Sequence, residues 1–236
     1  MPTRLLISPP ASGKTHTCIE QIRSQLLAHP LAQVRVVVPD RLQASYFRRR
    51  LSQNGGAMGA YVGTFTDLYK NILERAGNYV PVASNALLHR VLLEVVDSAD
   101  LVHYEPLRIM PGFLQVLSDS FAELKRTLIY PEVFIDQSKN APLAQKELAH
   151  LYAAYQTRLQ TLGWADWEGL SWLAVAALEA DPALMDGVIQ LLVVDGFDSF
   201  IPTQRKILKL LADKGSVLIT LEGEENSPRS AHRRFN

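Results

Sequence analysis

The stretch RLLISPPASGKTHTC, residues 4–18, decides how the rest of the chain is read. Its first part, RLLIS (4–8), has the length and apolar character of a buried strand. A loop ending in Gly13 follows. From 14 to 28 the apolar residues Cys18, Ile19, Ile22, Leu26 and Leu27 recur at helical spacing. A strand, a tight loop and a helix N-terminus together present backbone N–H groups and the positive end of a helix dipole to an anion. Gly13-Lys14-Thr15 matches the end of the G-x-x-x-x-G-K-[ST] phosphate loop. In that motif the Lys reaches the β- and γ-phosphates and the hydroxyl binds Mg²⁺. Ser8 stands where the motif has its first glycine, and Pro9 and Pro10 carry no N–H. The donors nearest the phosphates fall at Ala11, Ser12, Gly13, Lys14 and Thr15, and none of these is proline. A bare Gly-Lys-Ser/Thr arises by chance in about one chain in ten of this length. Its place between a first strand and a first helix makes these five residues the candidate ATP-binding loop, with Thr15 a metal ligand.

Outward from the loop, the pattern of a parallel sheet continues. QVRVVVP (33–39) is a β-branched strand stopped by Pro39, and 41–53 is a helix ended by the Asn-Gly-Gly turn at 54–56. AYVGTF (60–65) is a third strand and 66–77 a helix. This βαβαβα order predicts an α/β fold with helices on both faces of a parallel sheet. The rhythm then changes. Helical patterns at 84–98, 110–128, 143–162 and 166–180 fill the next interval, with prolines at 81, 106, 111, 131 and 142 marking the joints. Strands return at 188–197 and 216–221, around a helix at 202–213. The expected layout is an α/β domain in two parts, 1–82 and 186–236, interrupted by a helical insertion at 83–185.

A site for Mg·ATP also needs a carboxylate at the end of a neighbouring strand. LLVVDGFDSF (191–200) places Asp195 after four apolar residues, so Asp195 is the candidate metal carboxylate and, with Lys14, the candidate catalytic pair. In many ATPases a Glu follows that Asp and orients the attacking water. Here the next residue is Gly196, so weak hydrolysis at most is expected.

Taken in order, SPPASGKT, VVVPDRLQASYFRRRL, VGTFTDLYKNILERAG and VVDGFDSFIPTQ resemble motifs I, Ia, the Thr-Phe motif and II of superfamily 1 helicases. The helical insertion lies where UvrD/Rep-like enzymes carry their 1B subdomain. LYAAYQTRLQTLGWADWEGL is similar to the Tyr…Asp-Phe-x-x-Leu segment before motif II. The Asp-Gly-Phe form of motif II and the absence of a preceding glutamine motif resemble the B subunit of AddAB-type helicase–nucleases. The resemblance implies a RecA-like P-loop sheet with an inserted all-helical subdomain. It also implies ATP and Mg²⁺ as cofactors and single-stranded or duplex-end DNA as substrate. The partner it implies is the A subunit of the helicase–nuclease heterodimer, and the role is in double-strand break repair and recombination. Pro39, Asp40, Thr64 and Phe65 fall where the family contacts single-stranded DNA. LITLEGEENS (218–227) is at best a degenerate motif III. The second RecA-like domain and any nuclease motif are missing from these 236 residues, and one cysteine cannot ligate an iron–sulfur cluster.

Composition is consistent with this and adds little. Lys plus Arg is 24 and Asp plus Glu is 24, so there is no overall basic charge to attract nucleic acid. A single cysteine excludes an intrachain disulfide and points to a reducing compartment. No apolar run approaches the ~18 residues of a membrane span, and no signal-peptide pattern opens the chain, so a cytoplasmic protein without membrane contact is expected. Arg48–Arg50 read as a solvated helix face with one Arg packing along its stem, in preference to a phosphate contact, Trp164 and Trp167 as core, and Cys18 as buried and inert. Two other classes compete: a stand-alone P-loop kinase for a small substrate with the helical block as lid, and a non-catalytic helicase-like scaffold. A kinase lid needs clustered cations over the phosphates, and Arg90, Arg108, Arg126 and Arg158 are scattered.

Overall fold

The computed structural model describes residues 3–53, 57–110 and 112–223. The Asn-Gly-Gly turn at 54–56, Pro111, the last part of the motif III segment and the basic tail lie outside the described residues. The described chain divides into two compact units: Met1–Gly77 with Ala174–Phe200 and Gln204–Asn236, and Asn78–Leu173 with Ile201–Thr203.

The first unit is built on a five-stranded sheet. Its strands are β1 (Thr3–Ser8), β2 (Val34–Val37), β3 (Ala60–Gly63), β4 (Leu191–Phe197) and β5 (Ser216–Glu222). They lie in the order β1-β5-β4-β2-β3, and every pairing is parallel. Parallel strands need crossovers, and helices supply them. These are α1 (Lys14–Ala28), α2 (Arg41–Ser52), α3 (Phe65–Arg75) and, between β4 and β5, α9 (Pro202–Ala212). Strand β4 opens with a continuous apolar run, Leu191 to Val194, fully buried, as expected of a parallel strand covered on both faces. On one face Cys18, Ile19 and Ile22 of α1 and Ala44, Phe47 and Leu51 of α2 pack with Val34, Val36, Val62, Leu191, Val193 and Leu218. Each such large side chain contributes about 1.5–3 kcal/mol by leaving water. Helix α3 buries Phe65, Leu68, Tyr69, Ile72 and Leu73, the spacing of one helical stripe.

The second unit is helical: α4 (Asn85–Ser98), α5 (Phe113–Arg126), α6 (Pro131–Ser138), α7 (Leu143–Leu162) and the first half of α8 (Trp167–Ala180). Val91, Leu92, Val95 and Val96 of α4, Leu117 and Phe121 of α5, Leu151, Tyr152, Tyr155 and Leu159 of α7 and Trp172 of α8 form its core. Within it Lys125 is completely buried, and its Nζ donates to Asp166 Oδ2 at 2.6 Å. Asp166 also accepts from the Tyr155 hydroxyl at 3.2 Å and from Gly169 N–H at 2.7 Å, the latter capping α8. Burial lowers the Lys125 pKa, and the Asp166 carboxylate opposes that fall.

Two expectations change. The sequence pattern does not show helix α6, although Pro131 occupies its first turn, a favoured start. Of the two tryptophans read as core, Trp164 is half-buried against it, but Trp167 is 51% exposed; the buried indole is Trp172, which donates from Nε1 to Lys125 O at 2.7 Å. Among the described residues no helix is long and apolar enough to cross a membrane.

Candidate phosphate-binding site

All five strands run the same way, so their C-terminal ends share one edge of the sheet. Ligands of open α/β sheets bind in crevices at that edge. The candidate residues Lys14, Thr15, Asp195, Pro39, Asp40, Thr64 and Phe65 all follow or end a strand there. Residues Ala11 to His16 line a cavity of about 320 Å³ together with Arg50, Asp195, Gly196, Phe197, Thr220, Leu221 and Glu222.

The loop between β1 and α1 turns tightly. Ala11 (φ 59) and Gly13 (φ 89) both adopt the left-handed region, and Gly13 forms the N-cap of α1. A Cβ at Gly13 would meet nothing within 4 Å, so the glycine is required by its φ and not by crowding. Ser8 Oγ and Ser12 Oγ are 2.7 Å apart, which ties the ends of the loop. Lys14 Nζ donates to Ser8 O at 2.6 Å and to Pro9 O at 2.7 Å. The ammonium is therefore folded over the loop, held by carbonyls that a phosphate oxygen can replace.

Asp195 reaches the loop from β4. The β4–β5 register shifts between Val194 and Phe197, a bulge made by Asp195 and by Gly196 with its φ of 85°. The Thr15 hydroxyl donates to Asp195 Oδ2 at 2.8 Å, across 180 positions of sequence. Thr220 Oγ1, from β5, donates to Asp195 Oδ1 at 2.5 Å. Asp195 is only 5% exposed, and these partners are neutral hydroxyls that hydrogen-bond without neutralising it. Cys18 is fully buried with Sγ 4.0 Å from Asp195 Oδ1; burial, reinforced by that carboxylate, pushes its thiol pKa well up, which keeps it protonated and inert.

The other candidates are nearby but differently employed. Pro39 and Asp40 are exposed; Asp40 caps α2, accepting Gln43 N–H at 2.7 Å. Thr64 caps α3: its N–H and its hydroxyl donate to Asp67 Oδ2 at 2.8 and 3.0 Å. Phe65 is buried, and its ring packs edge-on to Phe197 and Phe200 at 5.3 and 6.3 Å. One participant escapes the sequence reading. Thr220 is the polar residue that interrupts the apolar run after Ser216 in β5 (VLITL), and that interruption is the available signal. Of the three arginines Arg50 is the half-buried one, and it lines the cavity, with its guanidinium 5.8 Å from the Tyr46 ring. Nothing local in RRR distinguishes it from Arg48 and Arg49.

Comparison with known proteins adds the family. The model described as "ADDB, N-terminal" matches residues 5–236. The chain belongs to the ADDB N-terminal family. Similar full-length proteins are named as the B subunit of an ATP-dependent helicase/deoxyribonuclease. That of Clostridium perfringens (strain ATCC 13124) is 25% identical over 244 residues, covering 97% of this chain and 20% of the relative. Those of Bacillus pumilus and Moorella thermoacetica are each 27% identical, over 227 and 254 residues, covering 89% and 100% of this chain and 19% and 21% of the relatives. The ADDB N-terminal chain thus spans about a fifth of the length of the relatives it matches.

Proposed function

We propose that this chain is the ATP-binding, DNA-processing N-terminal module of the B subunit of a helicase–nuclease. The observation that carries it is the meeting of Thr15 and Asp195 at 2.8 Å, next to the Lys14 loop. The sheet order supports a RecA-like reading: one strand, β5, lies between the loop strand and the carboxylate strand. The residues suit a divalent cation bound with the nucleotide. Asp195 is a buried carboxylate whose hydrogen-bond partners among the described residues are uncharged, and Mg²⁺ is bound through one or two carboxylates plus substrate phosphates. Thr15 and Asp195 would hold it, and its chemistry there is to neutralise phosphate oxygens. Among the described residues no group of three or more His, Cys, Asp or Glu forms an all-protein metal cage.

In this reading residues 83–185 are a 1B-like insertion in a UvrD/Rep-like 1A domain. The strand ends at Pro39–Asp40 and Thr64 form the track for single-stranded DNA, with Phe65 seating the start of α3. The whole protein works with the helicase–nuclease A subunit at DNA ends in double-strand break repair. A small-substrate kinase fits less well. Arg108, Arg126 and Arg158 of the helical unit are each paired, with Glu105, Glu168 and Glu94. A scaffold that binds nothing gives no reason for Lys14, Thr15 and Asp195 to converge. Calorimetric titration with Mg·ATP tests the proposal: binding by the wild type that drops at least about 100-fold in Lys14→Ala supports it, through loss of the charge-assisted phosphate contact. Equal affinity in the two proteins sinks it.

A further inference from the structure

Gly196 has no side chain with which to direct a water, yet the space beside it is filled. A Cβ built on Gly196 would lie 2.8 Å from Gln43 Oε1 and 3.5 Å from Pro39 Cδ. The carboxamide of Gln43 therefore stands where a side chain at position 196 would begin, on the strand that carries Asp195. Its orientation is determined. Gln43 Nε2 donates to Asp40 Oδ2 at 3.3 Å, while Gln43 N–H donates to Asp40 Oδ1 at 2.7 Å. The amide nitrogen is committed to Asp40, and the oxygen is the end turned to Gly196. Gly196 in turn lines the same cavity as the loop Ala11–Thr15, while Gln43 is exposed and stands at that cavity's edge, next to Gly196 and outside the lining itself.

We propose that Gln43 is the water-orienting residue of this site, its Oε1 accepting a hydrogen bond from the water that attacks the terminal phosphate. The inference rests on the ATP-binding reading above. A neutral carboxamide aligns a water without deprotonating it, and glutamine serves this way in other phosphoryl-transfer enzymes. The water oxygen forms the new bond to the γ-phosphorus. The bond from that phosphorus to the bridging oxygen breaks, and its electron pair leaves on ADP. The water's proton passes to an oxygen of the released phosphate. Turnover is then slow but specific, and it depends on α2 and not on the residue after Asp195.

The test uses the full-length polypeptide in the assembly it forms. Phosphate release is measured for wild type, Lys14→Ala and Gln43→Met, and turnover lost in Lys14→Ala defines turnover at this site. Gln43→Met keeps side-chain length and removes the acceptor. The expected result is a fall in site kcat of about tenfold or more in Gln43→Met, in the range for loss of a positioned acid–base or water-orienting group. KM, fluorescent-nucleotide affinity and Tm should stay near wild type. Wild-type turnover in Gln43→Met overturns the proposal, as does a wild type that binds ATP with no site turnover. A wild type that binds no ATP removes the underlying reading instead, and this inference with it.

Discussion

Two buried aspartates in this chain have nearly the same exposure and opposite surroundings. Asp166, in the helical unit, is 6% exposed and meets an ammonium, a phenol and a backbone N–H. Asp195, at the sheet edge, is 5% exposed and meets two hydroxyls. The first arrangement is closed: every charge has its partner inside the protein. The second is open: among the described residues its hydrogen-bond partners are uncharged, two hydroxyls and a thiol, and it faces a cavity that Lys14 and Arg50 also line. Burial alone marks neither residue as functional; the partners around each are what set the two apart.

That contrast can be broken most severely in the helical unit. Lys125→Met leaves Asp166 buried without its cation and should cost about 3–5 kcal/mol of stability, read from urea unfolding. An effect below about 1 kcal/mol would mean that Asp166 is already balanced by Tyr155 and Gly169, against the ion-pair account. At the sheet edge, Thr220→Val removes one of the two hydroxyls on Asp195 without changing volume much. A loss of about 1–3 kcal/mol is expected for a hydrogen bond to a charged acceptor, with Mg·ATP binding weakened in parallel.

A smaller effect concerns Glu147. Burial raises its pKa, but N–H groups of Val102, His103 and Tyr104, at 2.8 to 3.0 Å, outweigh burial and hold its carboxyl below the usual range. A depressed carboxyl contributes stability above its unfolded pKa of about 4.3 and loses it as pH falls through the folded value. Thermal unfolding of the wild type should therefore weaken in that acid window, and Glu147→Gln should flatten the slope. An unchanged slope would remove Glu147 as its source.

Much of the fold is legible in the sequence because its signals are local. β4 is a continuous apolar run, α1 and α3 carry one-sided stripes, and the prolines mark helix joints. The loop at 8–15 and Asp195 are legible as a motif and a strand end. Other features are not, since they depend on distant partners. Thr220 matters only because β5 lies beside β4, and Gln43 only because α2 delivers it to Gly196. The resemblance implies a DNA contact at Phe65, but its ring packs against Phe197, more than a hundred positions away. Helix α6 is short, and its pattern is lost between two prolines.

The most direct measurement of the central claim is ATP affinity with and without Mg²⁺, in wild type and Asp195→Asn. If Asp195 holds an open place for a cation, wild-type affinity rises with Mg²⁺, and Asp195→Asn loses that dependence while folding with wild-type or greater stability. If Asp195→Asn binds Mg·ATP as well as wild type does, or unfolds as Lys125→Met does, then Asp195 is a structural residue like Asp166 and the account of the site is wrong.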